Sequence, residues 1–137
     1  MPFITKQFKF CAAHKYWNNQ WSEDKNLDIF EDDVKLHGHN YELDVTLNGT
    51  IDPESGFVVN ISKLKEIIDK HVIKLLDHSE IQKDIDWFSD KQPSTENLVL
   101  FIWEQIVEHI PDGANLYKIK LRETPTIYTE YYGPDGE

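Results

Sequence analysis

The sequence predicts an α+β domain whose antiparallel strands pair through hairpins, with two helices covering one face of a four-stranded sheet. Apolar and polar residues alternate near both ends of the chain, which is typical of half-buried strands. Between residues 62 and 110 the apolar residues recur at helical spacing instead. We therefore expect the order β-β-α-α-β-β within one domain, residues 1–137, and 39% hydrophobic residues are sufficient for its core.

The first strand is predicted in residues 3–14, FITKQFKFCAAH, where four even-numbered residues are apolar and His14 lies on their side. Residues 15–35 are rich in Asn and Asp and include the acidic run EDD at 31–33. They indicate a long loop, and long loops inside compact domains are often functional.

The second strand is predicted in residues 36–48, where apolar and polar residues alternate cleanly. His37 and His39 lie on the apolar side of this strand, because side chains two residues apart share a face. Such a pair either packs both rings into the core or holds a ligand between them.

Two amphipathic helices are predicted in the middle of the chain. The first has Ser62 as its N-cap and ends at Asp77 and His78. The second has Ser94 or Thr95 as its N-cap, and a proline and a glycine follow its last turn.

The last two strands are predicted in residues 116–124 and 126–132. Glu123 shares the inner side of its strand with apolar residues. A carboxylate on an inner face costs free energy unless it is paired or hydrogen-bonded. Either a salt bridge with an inward cation or a ligand that offers two parallel N–H groups would satisfy it.

The charge balance excludes several classes of partner. Fourteen Lys and Arg residues against twenty-five Asp and Glu residues give a formal net charge of −11, which opposes binding to nucleic-acid phosphates. No apolar run approaches the roughly 20 residues of a membrane span, and the N-terminal segment lacks the apolar block of a signal peptide. The single cysteine, Cys11, cannot form an internal disulfide. These features predict a cytoplasmic protein that binds neither nucleic acid nor a membrane.

His14, His37 and His39 together form the first candidate site. Each lies at the end of a predicted strand, on the side that otherwise carries apolar residues. Three histidines with an open fourth position are typical of catalytic zinc, whereas structural zinc sites usually have four protein ligands. The pattern alone leaves two alternatives open, a zinc site or core histidines that are hydrogen-bonded to the backbone.

Asp77 and His78 form a second candidate site at the end of the first predicted helix. An aspartate beside a histidine orients the ring and stabilises its cationic form during proton transfer. The alternative is a helix C-terminus that favours a cationic histidine through the helix dipole. The spacing alone favours this second interpretation.

Six motifs, in their order along the chain, resemble those of one enzyme family. They are FCAAH (10–14), LHGHNYELDVTLNG (36–49), SGFVVNISKLK (55–65), LLDHSEI (75–81), PSTENL (93–98) and LRET (121–124). The family is that of 6-pyruvoyl-tetrahydropterin synthase and its bacterial relative, 6-carboxy-tetrahydropterin synthase. The resemblance covers nearly the whole chain.

The resemblance implies a fold and an assembly. The family has the tunnelling fold, or T-fold, with the order ββααββ. Three subunits close their four-stranded sheets into one barrel and two barrels stack, so a homotrimer or homohexamer is expected, with active sites between subunits. Closure of the barrel would also hide the edges of a small sheet.

The resemblance also assigns roles to residues at matching positions. Zinc would be bound by His14, His37 and His39, and protons would be moved by the pair Asp77 and His78. The carboxylate of Glu123 would hold the pterin ring through the N–H groups of the ring, with Thr95 nearby. The family's substrate is 7,8-dihydroneopterin triphosphate, whose side-chain hydroxyls and developing carbonyl the zinc would polarise.

One position departs from the family. The usual base is a cysteine about four or six residues before the His-Gly-His motif, where this chain has Asp33 and Glu31. The chain resembles instead a branch in which Glu replaces the cysteine and which forms 6-hydroxymethyl-7,8-dihydropterin for folate synthesis. We therefore expect Glu31 or Asp33 to act as the base. The alternative is an acidic loop exposed to solvent.

Three functions are compatible with these expectations. The first is a zinc-dependent lyase that converts 7,8-dihydroneopterin triphosphate to a 6-pyruvoyl or 6-carboxy tetrahydropterin, for tetrahydrobiopterin or queuosine biosynthesis. The second is the Glu-for-Cys variant that forms the 6-hydroxymethyl product. The third is a protein that binds pterins without turnover, and the retained Asp77, His78 and zinc ligands argue against it.

Overall fold

The structure is a computed structural model that describes residues 1–136, and in this part of the chain it contains one sheet of five strands. At its centre, β1 (Phe3–His14) pairs antiparallel with β2 (His37–Gly49), and β4 (Ala114–Thr124) pairs with the other side of β2. The predicted bounds of these three strands are close to the observed ones, because alternating patterns of this length are distinctive.

The two edges of the sheet differ in how well they were predicted. β5 (Ile127–Tyr131) pairs with β4, as expected. β3 (Ser79–Glu80) is a fifth strand that pairs in parallel with Ala12 and Ala13 of β1, so the order across the sheet is β3-β1-β2-β4-β5. The prediction of four antiparallel strands was wrong on this point, because a two-residue strand is too short to show alternation.

The segment between β1 and β2 is not the long loop that was predicted. It contains α1 (Glu23–Phe30), which continues into a 3₁₀ helix (Glu31–Val34). Ser22 caps α1, and its side chain accepts a hydrogen bond from the backbone N–H of Lys25. The prediction was wrong because α1 has only eight residues and most of them are polar, so it shows no apolar stripe.

Asn26 in α1 fixes the conformation of this segment. Its side chain is fully buried, and its Oδ1 accepts a hydrogen bond from the backbone N–H of Asn18 at 2.7 Å. Its Nδ2 donates to the carbonyl oxygens of Asn18 and Ser22, at 3.0 Å each. A buried amide with all these partners specifies a chain conformation that apolar contacts alone would leave undefined.

We expect the substitution Asn26→Leu to lower the free energy of unfolding by about 1–3 kcal/mol, because the backbone N–H of Asn18 would lose its partner and the carbonyl oxygens of Asn18 and Ser22 would each lose one donor. Asn19→Leu is the matched control, since Asn19 is exposed and the change should cost less than about 0.5 kcal/mol. Urea denaturation of the three proteins measures both effects. Equal stability of the two variants would show that the Asn26 side chain does not hold the segment.

The first predicted helix is longer and less regular than expected. α2 (Ile61–Ile68) begins before the predicted cap, because Asn60 rather than Ser62 is its N-cap and its Oδ1 accepts from the N–H of Ser62. The helix continues through a π-helical turn (Asp69–Ile73) into the short α3 (Lys74–Leu76). The chain then leaves the helix at Asp77, as predicted.

The second predicted helix agrees more closely with its pattern. After the short α4 (Ile81–Asp84), α5 (Thr95–Ile106) begins with Ser94 as its N-cap, one of the two caps predicted. Two 3₁₀ turns, Asp86–Phe88 and Val107–His109, complete the helical segments of residues 1–136. No helix in this part of the chain is both long and apolar enough to cross a membrane.

The core lies between the inner face of the sheet and the helices. Leu43 and Leu121 pair across β2 and β4 and are fully buried, and so are Leu64 of α2 and Ile102 of α5. Side chains of the opposite parity, such as Asp44, lie on the outer face. The sheet thus has an apolar inner face, and the row of inner residues ends at one edge of the core in histidines.

Candidate metal centre

The three predicted metal ligands meet at one end of the central strands. His14 and His37 are the final pair of the β1–β2 ladder, directly opposite each other, and His39 faces Ala12. The three ring centroids lie 4.6, 5.0 and 5.1 Å apart. One ring nitrogen of each histidine lies within 4.8 Å of the other two. The register of a single hairpin therefore assembles the cluster.

The hydrogen bonds of the rings determine which nitrogens are free. Nδ1 of His14 lies 2.7 Å from the carbonyl oxygen of Pro93, and Nδ1 of His37 lies 2.7 Å from that of Lys35. A carbonyl only accepts, so each Nδ1 donates its proton and each Nε2 carries a lone pair. Nε2 of His14 is buried and has no hydrogen-bond partner. This buried acceptor fits a metal ion, because carbonyl groups commonly orient metal-binding imidazoles in this way.

Burial favours the neutral form of His14 and His39. His14 is fully buried, and this burial, aided by the neighbouring His37 and His39, lowers the pKa of His14 to about 4 despite the hydrogen bond to Pro93. Burial and the charge of His37 also lower the pKa of His39. Neutral imidazole is the form that binds metal, so these two rings have no proton to release before binding at neutral pH.

The metal-free protein is expected to lose up to about 3 kcal/mol of stability through His14 as the pH falls from 6.5 to about 4. In this window the unfolded chain takes up a proton at His14, whereas the folded protein does not. Stability therefore falls with pH, since the unfolded state binds more protons. Denaturation of chelator-treated protein at a series of pH values measures the loss, with His14→Gln as control. A difference between wild type and variant that stays constant across the window would contradict this expectation.

Glu123 places its carboxylate against two of the histidines. Its Oε1 lies 3.4 Å from Nε2 of His14 and 3.4 Å from Nε2 of His39. The side chain is 13% exposed, and burial together with the charge of Asp33 raises the pKa of Glu123. The partners of this inward carboxylate are therefore histidines, and no salt bridge with Lys or Arg is found for it among residues 1–136.

The two candidate bases lie in the 3₁₀ helix that follows α1, and they differ in position. Asp33 approaches the cluster, with its Oδ1 3.7 Å from Nε2 of His37. Glu31 is exposed and forms no ion pair with the three histidines in the described part of the chain. Its φ of 53° lies in the left-handed region, which non-glycine residues rarely adopt. The structure therefore brings Asp33, but not Glu31, to the histidines.

Asp77 and His78 contact each other but not the histidine cluster. Nδ1 of His78 lies 3.1 Å from Oδ2 of Asp77, and Oδ1 of Asp77 accepts from the backbone N–H of Cys11 at 2.9 Å. The His78 side chain is 83% exposed, its φ is 64°, and it lines an open cleft that His39 and Asn40 also line. Within residues 1–136 neither member of the pair hydrogen-bonds to the cluster.

Further polar groups near the site were missed by the sequence analysis. The hydroxyl of Tyr41 is buried without a hydrogen-bond partner, and burial and the charge of Glu123 raise its pKa. Burial and Glu123 also raise the pKa of Tyr16. Glu96 accepts a hydrogen bond from Oγ1 of Thr95 at 3.2 Å, and its charge contributes to the raised pKa of Glu123. Tyr41 was counted with the apolar residues of its strand, Tyr16 lay in the predicted loop, and the PSTENL motif was the signal that pointed to Glu96.

The chain is similar to known proteins along almost its full length. A family model described as 6-pyruvoyl tetrahydropterin synthase matches residues 3–134. A 6-pyruvoyl tetrahydrobiopterin synthase of Drosophila melanogaster is 37% identical over 136 residues, which are 98% of this chain and 81% of that protein. A dihydroneopterin monophosphate aldolase of Pyrococcus furiosus is 34% identical over 120 residues, which are 88% of each chain.

A solved structure extends this similarity to the fold. The 6-pyruvoyl tetrahydropterin synthase of Caenorhabditis elegans matches with a TM-score of 0.87 at 31% identity, and the match covers 97% of both chains. The predicted α+β T-fold is thereby confirmed. With a family model matched over residues 3–134, the chain belongs to the 6-pyruvoyl tetrahydropterin synthase family.

Proposed function

We propose that this protein is a zinc-dependent lyase that acts on 7,8-dihydroneopterin triphosphate. Its membership of a family of pterin synthases supports an enzyme. The observation that carries the proposal is the buried Nε2 of His14, which lacks a hydrogen-bond partner and faces two further histidines. Three histidines with an open fourth position are a ligand set of catalytic zinc sites.

Each residue of the site has a proposed task. His14, His37 and His39 would hold the zinc through Nε2. When bound, the zinc would act as a Lewis acid that polarises oxygens of the substrate. Glu123 and Thr95 would hydrogen-bond the edge of the pterin ring and so fix the orientation of its side chain.

Asp33 is the proposed proton acceptor, with Glu31 as the second candidate. The Asp33 carboxylate lies 3.7 Å from the nearest histidine nitrogen of the cluster. A carboxylate is a weak base, so it suits removal of a hydroxyl proton better than removal of a proton from carbon. Loss of a hydroxyl proton starts a retro-aldol cleavage between side-chain carbons. This favours, as a second candidate function, the 6-hydroxymethyl product, and the similarity to an aldolase supports it.

We also propose that the protein assembles as a homotrimer or homohexamer, and that Asp77 and His78 move protons at the site of a neighbouring subunit. Within the described residues this pair contacts none of the three histidines of its own chain, and the ring of His78 is 83% exposed. Assembly would also cover the free edge of β5, because an unpaired edge strand is otherwise open to other chains.

Incubation of the zinc-loaded protein with 7,8-dihydroneopterin triphosphate, and separately with the monophosphate, tests the proposal by mass spectrometry of the products. A 6-hydroxymethyl product would assign carbon–carbon cleavage to a carboxylate base. A 6-pyruvoyl or 6-carboxy product would show that the chemistry of the family proceeds without its cysteine. Tight binding of a substrate that is recovered unchanged would overturn the lyase and indicate a pterin-binding protein.

A further inference from the structure

We infer that Glu123 is the fourth ligand of the metal ion in the substrate-free protein and leaves the ion when a pterin binds. The inference rests on the proposed metal site and deepens it. Three histidines alone would leave the resting site open to water. Three histidines and a glutamate would close it until substrate arrives.

The distances around Glu123 match the spacing of ligands in a tetrahedral zinc site. With Zn–N and Zn–O bonds of about 2.0–2.2 Å, neighbouring ligand atoms of a tetrahedron lie about 3.3–3.6 Å apart. Oε1 of Glu123 lies 3.4 Å from Nε2 of His14 and 3.4 Å from Nε2 of His39. One oxygen at equal distances from two imidazole nitrogens is the arrangement that a shared ion produces.

Hydrogen bonding does not account for this contact. His14 donates its Nδ1 proton to Pro93, so its Nε2 offers only a lone pair, and an ionised carboxylate likewise offers only lone pairs. A proton on Glu123 would reach one of the two histidines at most. Both distances also exceed the roughly 2.7–3.2 Å of hydrogen bonds between nitrogen and oxygen. A cation between the three atoms satisfies all of them at once.

The partial burial of Glu123 also favours a positive partner. A buried carboxylate is costly unless it is paired, and no Lys or Arg lies within ion-pair distance of Glu123 in the part of the chain that the structure describes. A divalent ion held by the cluster supplies the missing charge.

Departure of the carboxylate when substrate binds would then free a coordination position on the metal ion. Once displaced, Glu123 has two free oxygens that can accept hydrogen bonds from the N–H groups of a pterin ring. The same residue would thus serve the resting protein as a ligand and the loaded protein as a ring-binding group. Thr95, buried at the N-terminus of α5, is the second residue proposed to bind the ring.

Zinc affinity provides the first test, with Glu123→Gln compared with Asp33→Asn. Both variants remove one negative charge beside the cluster, but Glu123 lies 3.4 Å from two ring nitrogens and Asp33 lies 3.7 Å from one. Chelator competition should show a loss for Glu123→Gln greater than the roughly 10- to 100-fold that loss of an outer-shell partner costs, and a loss below about 10-fold for Asp33→Asn. Equal losses in the two variants would overturn the inference.

Cobalt substitution provides a second readout that does not depend on activity. A metal-bound water ionises near pH 7, so a site that holds water changes its visible spectrum between about pH 6 and 9. We expect the Co²⁺ spectrum of the wild type to stay constant over this range and that of Glu123→Gln to titrate. A wild-type spectrum that titrates in the same way would overturn the inference.

The two proposals fail in different ways. If the wild type binds zinc and forms product, and Glu123→Gln leaves the zinc affinity unchanged, only the inference about the fourth ligand fails. If the wild type binds neither Zn²⁺ nor Co²⁺, the proposed metal site and the inference both fail. Circular dichroism of the metal-free variants establishes that each is folded before its affinity is compared.

Discussion

Asp33→Asn is expected to lower kcat for 7,8-dihydroneopterin triphosphate by about 10²- to 10⁴-fold, the usual effect of removing a general base. Asparagine keeps the size of the side chain but cannot accept a proton at neutral pH. Because Asp33 lies 3.7 Å from His37, and is closer to no other histidine of the cluster, the variant should still bind zinc. Product formation at saturating substrate, together with the zinc content of the same sample, measures both expectations.

Glu31→Gln is the matched control for this prediction. Glu31 lies two residues earlier in the same 3₁₀ helix and is exposed, so we expect a change in kcat of less than about threefold. If Glu31→Gln lost activity and Asp33→Asn did not, Glu31 rather than Asp33 would be the general base. Unchanged turnover in both variants would show that the acidic segment is a solvent-exposed surface without a catalytic task.

Two inactive variants, His39→Ala and His78→Asn, are expected to regain activity when they are assembled together. The first loses a proposed metal ligand and the second a proposed proton carrier, and each loss should cost at least about 10²-fold. Asparagine is chosen at residue 78 because it tolerates the φ of 64° found there. If each site combines the cluster of one subunit with the Asp77–His78 pair of the next, random 1:1 assembly leaves about one quarter of the sites intact.

Joint refolding of the two variants, followed by the product assay, measures the recovery. The control is a mixture of the separately refolded proteins, assayed before their subunits exchange, which should stay inactive. If the joint assemblies are no more active than this control, His39 and His78 of one site belong to the same subunit. A monomer by light scattering, with full wild-type activity, would contradict the shared site as well.

Much of the fold was predictable because its strands are long and alternate. The parity of the inner face alone placed His14, His37, His39 and Glu123 on one side of the sheet, and the structure brings all four together. The N-cap of α5 was also predictable, since a serine before an apolar run has a local cause.

The remaining features depend on contacts between distant segments, which a sequence pattern does not contain. α1 is too polar to show an apolar stripe, and it is held by the buried side chain of Asn26. β3 exists only because Ser79 reaches Ala12 across the edge of β1. For the same reason the sequence could not choose between Asp33 and Glu31, which differ in their distance from His37 and not in residue chemistry.

The pairing of His14 with His37 would link the proposed metal binding to correct folding. Successive side chains of a strand point to opposite faces, so a shift of β1 against β2 by one residue would turn His14 outward together with Phe8 and Phe10. A β1–β2 pair in the wrong register would therefore lose the proposed metal ligands and the core at the same time. Among the compact states of the chain, an available ion would stabilise only the one with native strand pairing, so metal supply during synthesis should raise the yield of native protein.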